Sequence, residues 1–388
     1  MQSRSPVFIG FAVCGAFWGT WGASIPALRD QAGVTDGQLG GALLCIGAGA
    51  LPAMLVSGRL VDRFGPRVGA VMLAALGVCG VVVAATAHNL GFLVAGLLLL
   101  GATSGVSDVA INAAAGAAQV ASGRPVLARA HSMFSACVVV SSLTVGLLHQ
   151  LGAPIVLAFL ILAIAATVAA VLLARSAPPP VVASARAPST LSRAVRTPLL
   201  IIGTLGALAF AVENAHQSWS AVFFTDVLLM SPGSAAAGPA VFAGVVAVTR
   251  LLTATLALRH PVRLVVAGAA TAAAGTVALG SAGTLGLGIL GLAVAAAGTA
   301  VLFPTLLAVA TAHIPDAGRG AATSLVTTVA YLGFLAGPAY VGAWAGTAGL
   351  PAAMLALAGL ALILAVAAHP VLTAARRREP TTTSDRSS

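Results

Sequence analysis

The sequence predicts an all-α membrane protein of twelve transmembrane helices arranged as two six-helix bundles. Three observations carry that prediction. Of 388 residues, 59% are hydrophobic and only 7% are charged, against roughly 25% charged in a soluble globule. Most side chains must therefore face lipid or each other. The apolar residues fall into twelve runs of about 20 residues, the length needed to cross a hydrocarbon core. The basic residues number 19, all arginine, and with the N-terminus placed in the cytoplasm all but Arg29 fall on the cytoplasmic side, as the positive-inside rule requires. An odd number of spans would scramble that pattern.

The runs break at charges, prolines and glycines. They cover 7–27, 37–57, 68–87, 91–115, 131–151 and 153–174, then 198–224, 236–258, 262–281, 285–311, 322–345 and 350–372. Arg4, the first run and Gly22-Ala23-Ser24 have the layout of a signal peptide, but the polar content of that run argues for a retained span. Cytoplasmic loops are expected to hold Arg59, Arg63 and Arg67, then Arg124 and Arg129, then Arg175, Arg186, Arg193 and Arg196, then Arg259, Arg263 and Arg319. Arg250 is placed near the cytoplasmic end of span 8. Residues 175–197, rich in Arg, Pro, Ala and Ser, read as a cytoplasmic linker. They divide an N-terminal bundle, 1–174, from a C-terminal bundle, 198–372, which is followed by a cytoplasmic tail, 373–388. Arg63 and Arg67 recur 196 residues on as Arg259 and Arg263, and Gly123-Arg124 recur 195 residues on as Gly318-Arg319. A similar offset at two separate loops argues for duplication.

The densest charge cluster between two apolar runs is Gly58-Arg59-Leu60-Val61-Asp62-Arg63-Phe64-Gly65-Pro66-Arg67. Gly58 permits close backbone approach, and Gly65-Pro66 makes a turn. This stretch resembles the loop between helices 2 and 3 of the major facilitator superfamily, written G-x-L-x-D-R-x-G-R-R, with Pro66 replacing the first arginine of the final pair. The resemblance covers about residues 7–370 and implies two bundles rocking around a midplane site. It implies a conformational gate made of Gly58, Arg59, Asp62, Arg63, Gly65, Arg67 and Arg319, with Asp62 near the N-terminus of span 11. Trp18 to Pro26, Asp108 to Ala113, and Glu213 with Trp219-Ser220 resemble the fucose permease-like branch. That branch implies sugar–proton symport with acids in spans 1 and 4. Span 1 here holds no acid, so the resemblance carries over a coupling carboxylate only at Asp108 and leaves the substrate open.

Two acids fall well inside spans, where a carboxylate costs about 2.5–3.5 kcal/mol on insertion scales. Glu213 and Asp108 are therefore the candidate proton-coupling residues. Glu213, His216, Gln217 and Ser220 lie at i, i+3, i+4 and i+7, one polar face of span 7. Ser104, Asp108 and Asn112 form a second stripe in span 4, and Asp108 is alternatively an inter-helix hydrogen-bond site. The expected substrate cavity comprises Trp18, Trp21, Asn112, Asn214, His216, Gln217 and Ser220. Pro304 predicts a kink in span 10.

Cys14, Cys45, Cys79 and Cys137 all lie in apolar runs and read as packing residues, neither a disulfide set nor a metal site. No phosphate-cradling loop or catalytic motif is present, so the expectation is a transporter with no enzymatic activity, no cofactor and no nucleic-acid partner. The expected partners are a small-molecule substrate, protons and the lipid bilayer, and the chain is expected to be a monomer of the inner membrane with both termini cytoplasmic. Trp, Gln, Asn and Glu in the cavity favour a polar or cationic solute. An uncoupled facilitator, an efflux antiporter and a non-transporting sensor remain alternatives.

Overall fold

The structure, a computed structural model, describes residues 5–64, 67–124, 126–176, 192–312, 314 and 316–377. Among them the chain is helical throughout, joined by short turns, with no strand. The helices are α1 (Ser5–Ala32), α2 (Asp36–Phe64), α3 (Arg67–Thr86), α4 (Leu90–Ser122), α5 (Val126–Gln150), α6 (Ile155–Ser176) and α7 (Arg193–Asp226). They continue with α8 (Pro232–Ala235), α9 (Ala237–Arg259), α10 (Pro261–Gly280), α11 (Leu285–Ala300), α12 (Leu302–Thr311) and α13 (Asp316–Arg377). The turns arise from local chemistry. Asn89 and Thr284 cap α4 and α11 by accepting from the amides of Phe92 and Leu287. Gly123, in the left-handed region, ends α4 and donates its N–H to Gln119 O.

Among the described residues eleven helical segments are long and apolar enough to cross a membrane. The last of them lies in α13, whose 62 residues at about 1.5 Å each would run about three times the thickness of a bilayer core. It bends at Gly349, where φ 82 and ψ 163 are non-helical, so its arms 316–348 and 350–377 supply two crossings and the total is twelve. Spans 8 and 10 are each built from two pieces, α8 with α9 and α11 with α12.

The helix pairings repeat. α1 packs on α5, α2 on α4, and α3 on both α4 and α6. In the second bundle α7 packs on the first arm of α13, α9 on α11, and α10 on both α11 and the second arm of α13. Glycine makes the closest of these contacts, because van der Waals contact and interhelical hydrogen bonds, rather than hydrophobic burial, hold spans together in lipid. A Cβ at Gly15 or Gly19 would strike the α5 backbone at Phe134 or Val138, and one at Gly333 or Gly337 would strike α7 at Ala207 or Ala211.

The two ends of the molecule differ. On the end carrying Arg29, opposite the termini, one continuous core runs across both bundles and includes Trp21, Leu28, Leu43, Trp219, Phe223, Phe242, Val341 and Met354. On the terminal end there are two separate cores. One, with Phe11, Leu73 and Ile111, belongs to the first bundle, and the other, with Leu205, Leu306 and Val326, belongs to the second. Two small-residue crossings close the Arg29 end. A Cβ on Gly40 of α2 would stand 2.7 Å from Gly342 Cα of α13, and one on Gly233 of α8 would stand 2.7 Å from Gly146 O of α5. Arg29 adds charge to the closure. It binds Asp36 of α2 at 2.9 Å and Asp30 at 3.1 Å, and grips both oxygens of Asp226 at the end of α7.

Candidate functional site

Two adjoining cavities lie where the bundles face each other. One is lined by Trp18, Trp21, Gly22 and Ile25 of α1, Leu43, Ile46 and Gly47 of α2, Asn214, Gln217 and Ser218 of α7, and Phe334, Leu335 and Pro338 of α13. The other, about 640 Å³, is lined by Trp18, by His131, Phe134, Ser135 and Val138 of α5, by Glu213 and Gln217, and by Pro239, Ala243, Val246 and Arg250 of α9. Trp18 and Gln217 belong to both.

The charged centre is an ion pair. Arg250 Nη2 donates to Glu213 Oε1 at 3.0 Å. Glu213 is buried, whereas the Arg250 side chain is 38% exposed, into the cavity. A buried carboxylate in lipid is tolerable only with a partner of this kind. This pair is separate from the Arg29 cluster.

Two prolines place the polar groups. Pro304 has no N–H, so the carbonyl four residues back, Ala300, loses its helical partner. The helix breaks there, between α11 and α12, and Arg250 Nε donates to Ala300 O at 3.0 Å. Pro338 likewise leaves Phe334 O open, and Asn214 Nδ2 donates to it at 2.5 Å. Trp219 Nε1, fully buried, donates to Pro338 O at 3.0 Å. The guanidinium and the amide are thus held by backbone oxygens that each proline leaves unfilled.

The expected residues are brought together only in part. Trp18, Trp21, Asn214, Gln217 and Glu213 line the cavities. His216 does not. It is fully buried between helices, stacked on Phe242 with ring centroids 5.6 Å apart, its Nδ1 2.7 Å from Val212 O and its Nε2 3.1 Å from Thr276 Oγ1. Ser220 is buried against Gly238 at the start of α9. Positions i, i+3, i+4 and i+7 spread over about 100° of helix circumference, wide enough to straddle the border between cavity and neighbouring helix. Glu213 and Gln217 fall on one side of that border, His216 and Ser220 on the other.

Asp108 and Asn112 stand apart from both cavities. Asn112 Nδ2 donates to Asp108 Oδ1 at 3.0 Å and to Asp108 O at 2.9 Å, a bond within α4. Asp108 lies within electrostatic reach of Tyr331 of the other bundle, which sits in an aromatic cluster with Phe210 and Phe334. Arg250 corrects an expectation. It is nine residues, about 14 Å of helix, from the end of α9 at Arg259, and it lines the cavity. Its signal was a lone arginine well inside an apolar run, opposite a helix broken by Pro304.

At the expected gate, Arg63 and Arg67 are exposed where α2 ends and α3 begins, with Arg63 over the Phe64 ring at 5.2 Å. Arg319, at the start of α13, donates to Ile314 O at 3.4 Å. The side chains of Arg59 and Asp62, the environment of Gly58, and Gly65 itself lie outside the described residues, and with them the expected contact of Asp62 to span 11.

Comparison with known proteins agrees with this architecture. The chain is 28% identical over 368 residues to an uncharacterised MFS-type transporter of Yersinia pestis, covering 94% of each chain. It is 25% identical over 361 residues to the membrane protein MosC of Rhizobium meliloti, covering 92% of this chain and 87% of that one. Its fold is similar to that of the POT family transporter PepTSo, with a TM-score of 0.76 at 15% identity over 98% of this chain and 99% of that chain. It is also similar to the xylose transporter XylE from E. coli in a partially occluded inward open conformation, with a TM-score of 0.73 at 12% identity over 94% and 96%. Residues 7–287 and 240–388 match the family model of the Major Facilitator Superfamily, and the chain belongs to that family of membrane transporters.

Proposed function

We propose that the protein is a secondary active transporter that moves a small solute across the inner membrane by alternating access, coupled to protons. The observation that carries this reading is the Glu213–Arg250 pair in a cavity between bundles that are sealed together at one end and form separate cores at the other. In this reading residues 1–174 and 198–372 are the two moving bundles, 175–197 the cytoplasmic linker and 373–388 the tail. The arginine distribution puts the terminal end in the cytoplasm, so the conformation is inward-open and the Arg29 end is the closed outer gate. The loop from Gly58 to Arg67, with Arg319, closes the cytoplasmic end in the opposite state. The chain acts as a monomer.

Glu213 is the proton carrier. It is the acid on the cavity wall, whereas Asp108 lies off it, bonded to Asn112. Protonation cancels its charge and loosens its hold on Arg250, so one binding event changes the electrostatics of both bundles' shared space. The fucose permease-like branch rests on the resemblance at Trp18 to Pro26, with Trp18 and Trp21 on the cavity wall.

Glu213→Gln keeps the hydrogen-bonding shape and removes the titration. In proteoliposomes given a panel of sugars, nucleosides, amino acids and organic acids, the variant should lose gradient-driven accumulation. It should retain exchange of labelled for unlabelled solute, which needs alternating access but no net proton movement. Retention of both activities would remove Glu213 from coupling.

A further inference from the structure

The charge balance of the cavity bears on what it carries. Arg250 uses Nη2 for Glu213 and Nε for Ala300, and its Nη1 has no partner among the described residues. His131, Ser135 and Gln217 line the same space, and their side chains make no hydrogen bond there among the described residues. Trp18 and Phe134 supply an aromatic wall beside them. The cavity therefore offers a guanidinium fork and hydrogen-bonding side chains next to an apolar surface.

We propose that the transported solute is a small organic anion, a carboxylate on a compact apolar or aromatic body, bound by Arg250 once Glu213 has taken up a proton. This assignment rests on Glu213 as the proton carrier. With the ion pair intact the cavity is neutral. An anion alone would leave it at one negative charge, and a proton alone at one positive charge. A proton and an anion together restore neutrality. In the occluded intermediate water is excluded, and an uncompensated charge is what a low-dielectric interior penalises most. The empty and the doubly loaded carriers can cross, and the singly loaded ones cannot. One proton is thereby coupled to one anion, with no net charge moved.

The proton passes from bulk water to a Glu213 carboxylate oxygen, which ends the charge-assisted contact to Nη2. Nη1 and Nη2 then present the two parallel donors that a carboxylate accepts. A cationic solute finds no free counter-charge in this space, because the carboxylate there is already paired. The titratable groups facing Glu213 are Arg250 from α9 and His131 from α5. Among the described residues α1, α11, α12 and α13 bring no titratable side chain to the wall of this cavity, and Tyr331 of α13 packs edge-on to Phe210, one turn before Glu213.

The test is binding to the purified full chain, read by thermal shift with benzoate, neutral benzamide and cationic benzylamine. Wild type should bind benzoate in preference to the other two, more tightly as pH falls, approaching about tenfold per pH unit, the slope of one linked proton. Glu213→Gln should bind benzoate with no pH dependence, and His131→Gln should keep the wild-type slope. Arg250→Gln should not bind it. Because that variant strands a buried carboxylate, the double variant Glu213→Gln/Arg250→Gln, neutral throughout, should fold and still fail to bind. Absent benzoate binding, or equal or tighter binding of benzamide or benzylamine, would overturn the anion assignment and leave the proton reading standing. Preferential benzoate binding whose pH dependence survives in Glu213→Gln, or vanishes in His131→Gln, would instead remove Glu213 as the proton carrier on which the anion assignment rests.

Discussion

Glu213 and Arg250 sit on different helices, and neither fixes the other alone. The carbonyl of Ala300, opened by Pro304, holds the guanidinium at Nε while Glu213 holds Nη2. Pro304→Ala tests that dependence. It returns an N–H to the helix, which then competes for Ala300 O, and it removes a residue costing about 3 kcal/mol in a helix interior. The variant should unfold at a higher temperature in detergent yet exchange solute at least about tenfold more slowly, since hydrogen bonds to charged groups contribute about 1.5–3 kcal/mol. A variant of unchanged exchange rate would show that the carbonyl does not position Arg250. At this scale the sequence is legible where one residue type has one explanation. An acid inside a span needs a partner or water, which singles out Glu213 and Asp108. The partner of Glu213 is harder to see, because a lone arginine is equally well explained as a charge near the membrane surface, and only the depth of Arg250 within α9 separates the two. His216 shows the opposite difficulty. Its helical position is compatible with the cavity and with Thr276, and the choice is made by a neighbouring helix that no local pattern reveals.

Helix boundaries are better encoded than side-chain partners, because breakers act locally. Asn89, Gly123 and Thr284 each end or begin a helix through a cap that needs no tertiary contact. The turn between spans 11 and 12 works by a different device. The reversal is made by Gly349 at φ 82 and ψ 163, followed by Pro351, which has no N–H to continue the helical ladder. That backbone region is essentially restricted to glycine. A Cβ at Gly349 would meet only Pro351 Cδ at 3.8 Å, so any penalty for alanine is conformational and not steric. Gly349→Ala should therefore destabilise the protein by about 1–3 kcal/mol, visible as a lower unfolding temperature, while the Tyr340 hydroxyl bond to Ala356 O, 3.3 Å across the bend, keeps the two arms together. Unchanged stability would mean that the bend relaxes to a conformation open to any residue. The span-10 break is the complementary case. Pro304 announces a kink, but that the kink serves Arg250 depends on α9 lying beside it.

For the whole molecule, the repeat of arginines at offsets of 195 and 196 residues corresponds to a repeat of helix pairings, so the two-bundle architecture is legible from the chain. The conformational state is not, because in the proposed alternating-access cycle each state uses the same helices. It is set by contacts between bundles, and on the closed end these are the Gly40–Gly342 and Gly146–Gly233 crossings and the Arg29 cluster. The glycines contribute close packing that any closing motion reforms. Arg29 contributes a directional lock, since its fork takes both oxygens of Asp226 from the opposite bundle while Asp36 steadies it from its own. Its side chain is 12% exposed and that of Asp226 30%, so solvent screens the pair only partly. Arg29→Gln removes the charge and the fork without adding bulk. Losing about 1.4 kcal/mol from the closed end alone would shift the balance of states about tenfold toward opening there. A cysteine at Ser135, on the cavity wall, reports the shift. In the wild-type background an impermeant maleimide should reach it only from the terminal end, and in Arg29→Gln it should react from the Arg29 end as well. Arg29→Lys, which keeps the charge but loses the parallel donors, should fall between the two. Labelling from the terminal end only in all three would assign the closure to the glycine crossings and leave Arg29 as a surface charge.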